Sequence, residues 1–172
     1  PREREGHGVV QLAALDLRRR PDHRSELTSQ LLMGEVVRVL ERDRNDQWWR
    51  VENRTDGYRG WVRTWGIVAA SARVVARWGA AASLRVVVPY AEMRARPGAG
   101  DRVSPLFWNG RVSGRGGPGR HVAVRLPDGR RGFVANTALA APAEAPPTLE
   151  ARVRSLLGVP YLWGGRTPLG LD

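Results

Sequence analysis

At 172 residues and 42% apolar composition, the chain holds enough material for one or two packed cores and too much for a disordered segment. Its formal charge is +11, yet all 28 basic residues are arginine, spread along the chain and interleaved with acids as in Glu41-Arg42-Asp43-Arg44, which reads as a solvated surface and not a nucleic-acid groove. Cysteine is absent and His7, His23 and His121 are scattered, so no disulfide, thiolate site, metal or other cofactor is expected, and no apolar run approaches the roughly 18 residues of a membrane span.

The first eight residues are charged and read as a tail outside the folded part. Short apolar runs follow, among them Val9-Val10-Gln11-Leu12, Glu35 to Leu40, Trp48-Trp49-Arg50-Val51 and Gly60-Trp61-Val62. Gly, Pro, Asn and Asp punctuate them, a rhythm that predicts short strands in a mainly β barrel or sandwich. Asp56-Gly57 is a hairpin signal, because the turn needs positive φ. The expected interior is Leu17, Leu32, Val37, Val39, Val51 and Trp61, with one of Trp48 and Trp49 inside and the other exposed for interdomain packing. Residues 71–82 read as a linker with a short helix: Ser71 caps it, Val74, Val75 and Trp78 share a face, and Gly79 ends it.

The pattern then recurs. Leu17 to Pro21 matches Met93 to Pro97, and Gly34-Glu35-Val36 matches Gly110-Arg111-Val112, both 76 residues on. Asp56 to Val62 matches Asp128 to Val134, 72 residues on. Such spacing indicates a duplicated unit with one loop deletion, placing one barrel at 9–70 and a divergent second at 83–140. The second interior is expected to use Met93, Leu106, Val112, Val122, Val124 and Phe133, and Gly57 and Gly129 should occupy equivalent turns. Residues 141–147 are a Pro/Ala linker. A helix opens at Thr148 with Leu149, Val153, Leu156 and Leu157 on one face, and Gly158 and Pro160 stop it.

Both repeats resemble bacterial SH3 domains, through Leu17-Arg18-x-x-Pro21, Gln30 to Glu35, and Asp56 to Val62 in the first and Leu126 to Val134 in the second. The stretch Leu156 to Asp172, with Pro160-Tyr161-Leu162-Trp163-Gly164-Gly165, is similar to the start of an NlpC/p60 cysteine peptidase. The resemblance implies two SH3-like barrels followed by the first helix and loop of a papain-like α+β catalytic domain in 148–172. The family's cysteine would follow Asp172, at a helix N-terminus that favours thiolate, and its histidines would come later.

The implied activity is cleavage of γ-D-glutamyl bonds in short peptidoglycan peptides with a free N-terminal L-Ala. The protein would be a monomer of the bacterial cell envelope, or alternatively of cytoplasmic wall-peptide recycling, and these 172 residues would be inactive alone. The alternative function is a peptidoglycan-binding SH3 module without catalysis. Tyr161 matches the family's active-site tyrosine, a donor toward an oxyanion. Glu26 and Tyr58 match residues by which the first barrel reads the substrate amine, and Asp172 caps the next helix or receives that amine. On the residues alone, Tyr161 reads rather as a packed core aromatic, while Glu26 reads equally as a solvated loop charge and Tyr58 equally as barrel surface.

Overall fold

The computed structural model describes residues 6–82, 84–141 and 148–172. The first seven strands are β1 (His7–Val10), β2 (Ala14–Arg18), β3 (Leu27–Leu32), β4 (Val36–Arg42), β5 (Trp48–Asn53), β6 (Arg59–Arg63) and β7 (Ile67–Ala70), with a single 3-10 turn at Thr64–Gly66. They hydrogen-bond in the order β3-β2-β6-β5-β4-β1-β7. Val10, Leu15, Leu17, Leu31, Val37, Trp49, Val51, Val62 and Ile67 form one buried cluster to which every strand contributes, so the sheet curls around it.

Helix α1 (Ala72–Ala81) follows, with the Ser71 hydroxyl accepting the Val74 amide as its cap; it runs two residues beyond Gly79. Seven more strands then repeat the plan: β8 (Leu84–Val86), β9 (Tyr90–Arg96), β10 (Ala99–Phe107), β11 (Arg111–Gly114), β12 (His121–Arg125), β13 (Arg131–Ala135) and β14 (Leu139–Ala140), with a 3-10 turn at Asn136–Ala138 before the last. Their order, β10-β9-β13-β12-β11-β8-β14, is the first order shifted by seven strands. Helix α2 (Leu149–Ser155) and a two-stranded ribbon of β15 (Arg166–Thr167) and β16 (Gly170–Leu171) complete the chain. The composition is mainly β, in two seven-stranded sheets.

The pairing registers refine the repeat. Val10 faces Ile67 where Val86 faces Leu139, an offset of 76 on the first strand. Leu15 faces Leu31 where Ala91 faces Leu106, so the third strand is offset by 75, and Val51 faces Gly60 where Val124 faces Gly132, giving 73 and 72. The second copy is therefore shortened in three connections, not one. Gly34 corresponds to Asn109, one residue before Gly110. Both adopt positive φ, 79° and 67°, in the turn where the following amide returns to Leu32 and Phe107 respectively, and glycine and asparagine are the residues that tolerate it. Gly57 and Gly129 do fall in equivalent hairpins, at φ 76° and 92°.

The expected interior is corrected at two matched positions. Trp61 and Phe133 are only half-buried, and their neighbours Val62 and Val134 point inward. Strand alternation puts Gly60 and Gly132 on that same inner face. A Cβ on Gly60 would lie 2.7 Å from Leu17 Cγ and 2.8 Å from the Arg18 carbonyl, and one on Gly132 would lie 2.6 Å from the Arg94 carbonyl. The sixth strand crosses the second too closely for any side chain there, and the large aromatic faces out. Gly60→Val is expected to cost about 3 kcal/mol by overpacking, whereas Gly57→Ala, with open space around it, costs only the ~1 kcal/mol strain of its turn. Thermal melts that rank the two equally would contradict this close crossing.

The tryptophan pair is corrected too: both are buried. Trp49 sits in the core, and its indole donates to Asp46 at 2.5 Å. Trp48 faces outward but is covered by its own barrel, with the His23 ring 4.9 Å away and the Arg63 guanidinium 5.2 Å from its centroid. Contact between the sheets falls to other residues. Met33, fully buried, packs into the core of the second sheet, and its carbonyl accepts the Arg111 amide at 2.8 Å. From α1, the Trp78 indole donates to the Gly34 carbonyl at 3.0 Å.

Candidate functional site

Helix α2 is shorter than its apolar pattern suggests. It ends at Ser155, Leu157 lies in the following turn, and Leu149, Val153 and Leu157 are exposed. Gly158 at φ 86° turns the chain into the segment that carries the site. Residues 160–172 fold back on themselves: Leu162 donates to the Leu171 carbonyl and Leu171 to the Pro160 carbonyl, both at 3.0 Å, and Arg166 and Thr167 pair with Leu171 and Gly170.

This segment docks on the first barrel along β3. Gly164, at φ 70°, brings its backbone so close that a Cβ would lie 2.8 Å from the Leu27 carbonyl and 3.1 Å from the Ser29 nitrogen. Two residues on, the Arg166 amide donates to Gln30 Oε1 at 3.0 Å, and its Nη1 donates to the Gln30 carbonyl at 2.6 Å. The guanidinium then forks onto Glu35, with Nη2 to Oε1 at 2.9 Å and Nη1 to Oε2 at 3.2 Å. Glu35 is 5% exposed. Its Oε2 also accepts the Leu32 amide at 2.9 Å and the Asn53 side chain at 3.3 Å, so the buried carboxylate is both neutralised and fully hydrogen-bonded. Asp56 adds a longer ion pair to Arg166 at 3.6 Å. In the second sheet the position of Glu35 is held by Gly110, so this anchor belongs to the first barrel alone.

The docked segment presents Tyr161 and Asp172. Asp172 Oδ2 accepts the Gly164 amide at 2.9 Å, and its own amide donates to the Gly165 carbonyl at 3.1 Å, which pins the carboxylate over the double-glycine turn. Tyr161 is 70% exposed, so the reading as a packed core aromatic does not hold. Partial desolvation, then the charge of Asp172 and a hydrogen bond to it, push the phenol above its ordinary pKa of 10.0. Tyr161 thus stays a neutral donor throughout the neutral range. A raised pKa in the folded state contributes stability that is present below the unfolded value and is lost as pH rises through the folded one. In an absorbance titration of the phenolates, Tyr161 is expected to ionise above the ordinary range, and Asp172→Asn should bring it down. An unchanged titration in that variant would remove Asp172 as the cause.

Of the four residues expected at the site, the structure joins Tyr161 and Asp172 directly. Glu26 and Tyr58 are exposed, and their contacts run to their own loops: Glu26 pairs with Arg19 at 3.1 Å, and the Tyr58 amide donates to Asp56 Oδ1 at 3.0 Å. Their chain neighbours do reach the docked segment, Leu27 through Gly164 and Asp56 through Arg166. Arg166, Glu35 and Gln30 were not legible as site residues. The one sequence signal was an acid inside the otherwise apolar run Leu31-Leu32-Met33-Gly34-Glu35-Val36-Val37. Among the described residues, no group of three or more His, Asp and Glu is arranged to hold a metal ion, and no helix is long and apolar enough to cross a membrane.

Residues 17–67 match the family model described as the bacterial dipeptidyl-peptidase SH3 domain. No curated protein sequence matches the chain. Among solved structures, an NlpC/P60 family protein from Bacillus cereus ATCC 10987 superposes with a TM-score of 0.76 at 17% identity, covering 96% of this chain and 68% of its own. An NlpC/P60 endopeptidase from Photobacterium damselae subsp. piscicida gives 0.68 at 14% identity, covering 93% of this chain and 39% of its own. The chain thus spans about two thirds of one relative and well under half of the other. At these identities the likeness to the two solved structures is one of fold alone, and the SH3 family match is confined to residues 17–67.

Proposed function

We propose that these residues form the substrate-reading part of a bacterial cell-wall peptide hydrolase of the NlpC/p60 cysteine type, with two SH3-like barrels of which the second is the divergent copy. The bond cut is a γ-D-glutamyl bond in short peptidoglycan peptides with a free N-terminal L-Ala. The 172 residues contain no cysteine, so the reading assigns them binding and positioning, not thiol chemistry. It places the protein, as a monomer, in the cell envelope or in cytoplasmic recycling of wall peptides.

The observation that carries the reading is the exposed Tyr161–Asp172 pair, held on a turn that packs against β3 one residue after Glu26. An ammonium group needs carboxylates near it, and Asp172 and Glu26 supply them on the two sides of the junction. Tyr161, kept protonated, offers an O–H donor that releases Asp172 when an ammonium takes its place. The barrel wall limits the site to peptides that end there, which is the reason a free amine is required. Crevices between folded units are common places for such pockets.

The test is binding of an L-Ala-γ-D-Glu-diamino acid tripeptide to the chain, compared with its N-acetylated form. Glu26→Gln is expected to weaken binding of the free amine about tenfold, the loss of one charge-assisted hydrogen bond, and to leave the acetylated peptide unaffected. Equal loss for both peptides, or none, would leave the barrels as a wall-binding module without a role at the substrate amine.

A further inference from the structure

The first barrel has a cavity of about 210 Å³ that takes no part in the site described above. Asp16, Arg18, His23, Trp48, Arg63 and Trp65 line it. Trp48 is its buried floor, and Trp65, on the 3-10 turn after β6, stands 56% exposed at its edge. Two features point to an occupant. The Nε atoms of Arg18 and Arg63 are buried and have no hydrogen-bond partner. Arg18 is paired with Asp16, but Arg63 donates only to the neutral Gln47 side chain, at 3.2 Å, and no carboxylate pairs with it among the described residues. A guanidinium packed on Trp48 with one neutral acceptor, an unpartnered Nε and no counter-charge among the described residues is an unmet demand for a negatively charged acceptor.

We propose that this cavity binds the carboxylate-bearing terminal residue of a short peptide. The carboxylate would meet Arg63, and the residue's apolar part would lie against Trp65, whose face is open to solvent. The volume holds about one residue and is below the roughly 300–1,000 Å³ of sites for larger ligands. The cavity is also tied to the docked segment: Asp16 accepts the Gln30 side chain at 3.3 Å, and Gln30 accepts Arg166. The inference stands on this cavity and is independent of the amine-receiving role of Glu26.

The test follows the tryptophan indole N–H resonances of the chain during titration with N-acetyl-Ala-Ala and with its C-terminal amide. Both probes lack a free amine, so the Glu26 reading does not enter. The acid is expected to shift the Trp48 and Trp65 signals and to bind about tenfold more tightly than the amide, the scale of a hydrogen bond to a charged group. Arg63→Gln should abolish that preference, and Trp65→Ala should weaken both probes. Equal binding of acid and amide, signals unmoved at millimolar probe, or a preference that survives Arg63→Gln would overturn the proposal. If Arg63→Gln does not fold, the comparison of acid with amide on the native chain decides it alone.

Discussion

Replacing Glu35 with alanine is expected to cost about 3–5 kcal/mol and to free residues 161–172 from the first barrel. The loss is large because the change strips three partners at once. Arg166 loses its bidentate acceptor, and the Leu32 amide and the Asn53 side chain lose theirs. Arg166→Ala should cost less, since Glu35 keeps the Leu32 and Asn53 bonds and can admit water from the vacated side. Because both substitutions break the same interaction, the double variant should be less destabilised than the sum of the singles. Thermal melts give the energies, and hydrogen exchange at Arg166, whose amide donates to Gln30 of the first barrel, reports the docking. Exchange at that amide that stays slow in Glu35→Ala would mean that the segment is held by something other than this pair.

The second large effect is expected at Met33. It lies in the turn after β3 of the first sheet but is buried in the core of the second, beside the turn that precedes β11. Met33→Ala removes three heavy atoms from a site that cannot collapse without moving one sheet relative to the other, and about 2–5 kcal/mol is expected. Met33→Leu, which nearly conserves volume, should cost less than about 1.5 kcal/mol. The signature is cooperativity as well as stability: the native chain should melt its two sheets together, and Met33→Ala should separate them into two transitions in calorimetry. A single transition at an unchanged temperature would show that Met33 does not couple the sheets.

What the sequence made legible was local. Hairpins at Asp56-Gly57 and Asp128-Gly129 and the Ser71 and Thr148 caps rest on residues a few positions apart, where turn and cap chemistry leaves a direct trace, and the duplication shows as such local signatures repeated 72 and 76 residues on. The phase of the sixth strand was misread because Trp61 and Phe133 look like core residues. The glycine beside each carries the decisive constraint, and it depends on how closely a strand 43 positions earlier crosses, Gly60 over Leu17. Trp48 misled in the same way, since its cover comes from His23 in another loop. The anchor of the site was hidden for a further reason. Glu35 and Arg166 are 131 positions apart, and an ion pair across such a separation has no periodicity to betray it. Tyr161 and Asp172 were found through the motif around them, and the structure adds that they contact each other.

The most direct measurement is a map of where the free-amine tripeptide L-Ala-γ-D-Glu-diamino acid sits on the chain, by amide chemical-shift perturbation. The largest changes are expected at Tyr161, Gly164 and Asp172 on one side and at Glu26 and Tyr58 on the other, with the effect lost on N-acetylation. Perturbations confined to the second sheet or to the Trp48–Trp65 cavity, with residues 161–172 and Glu26 unmoved, would contradict the proposed function.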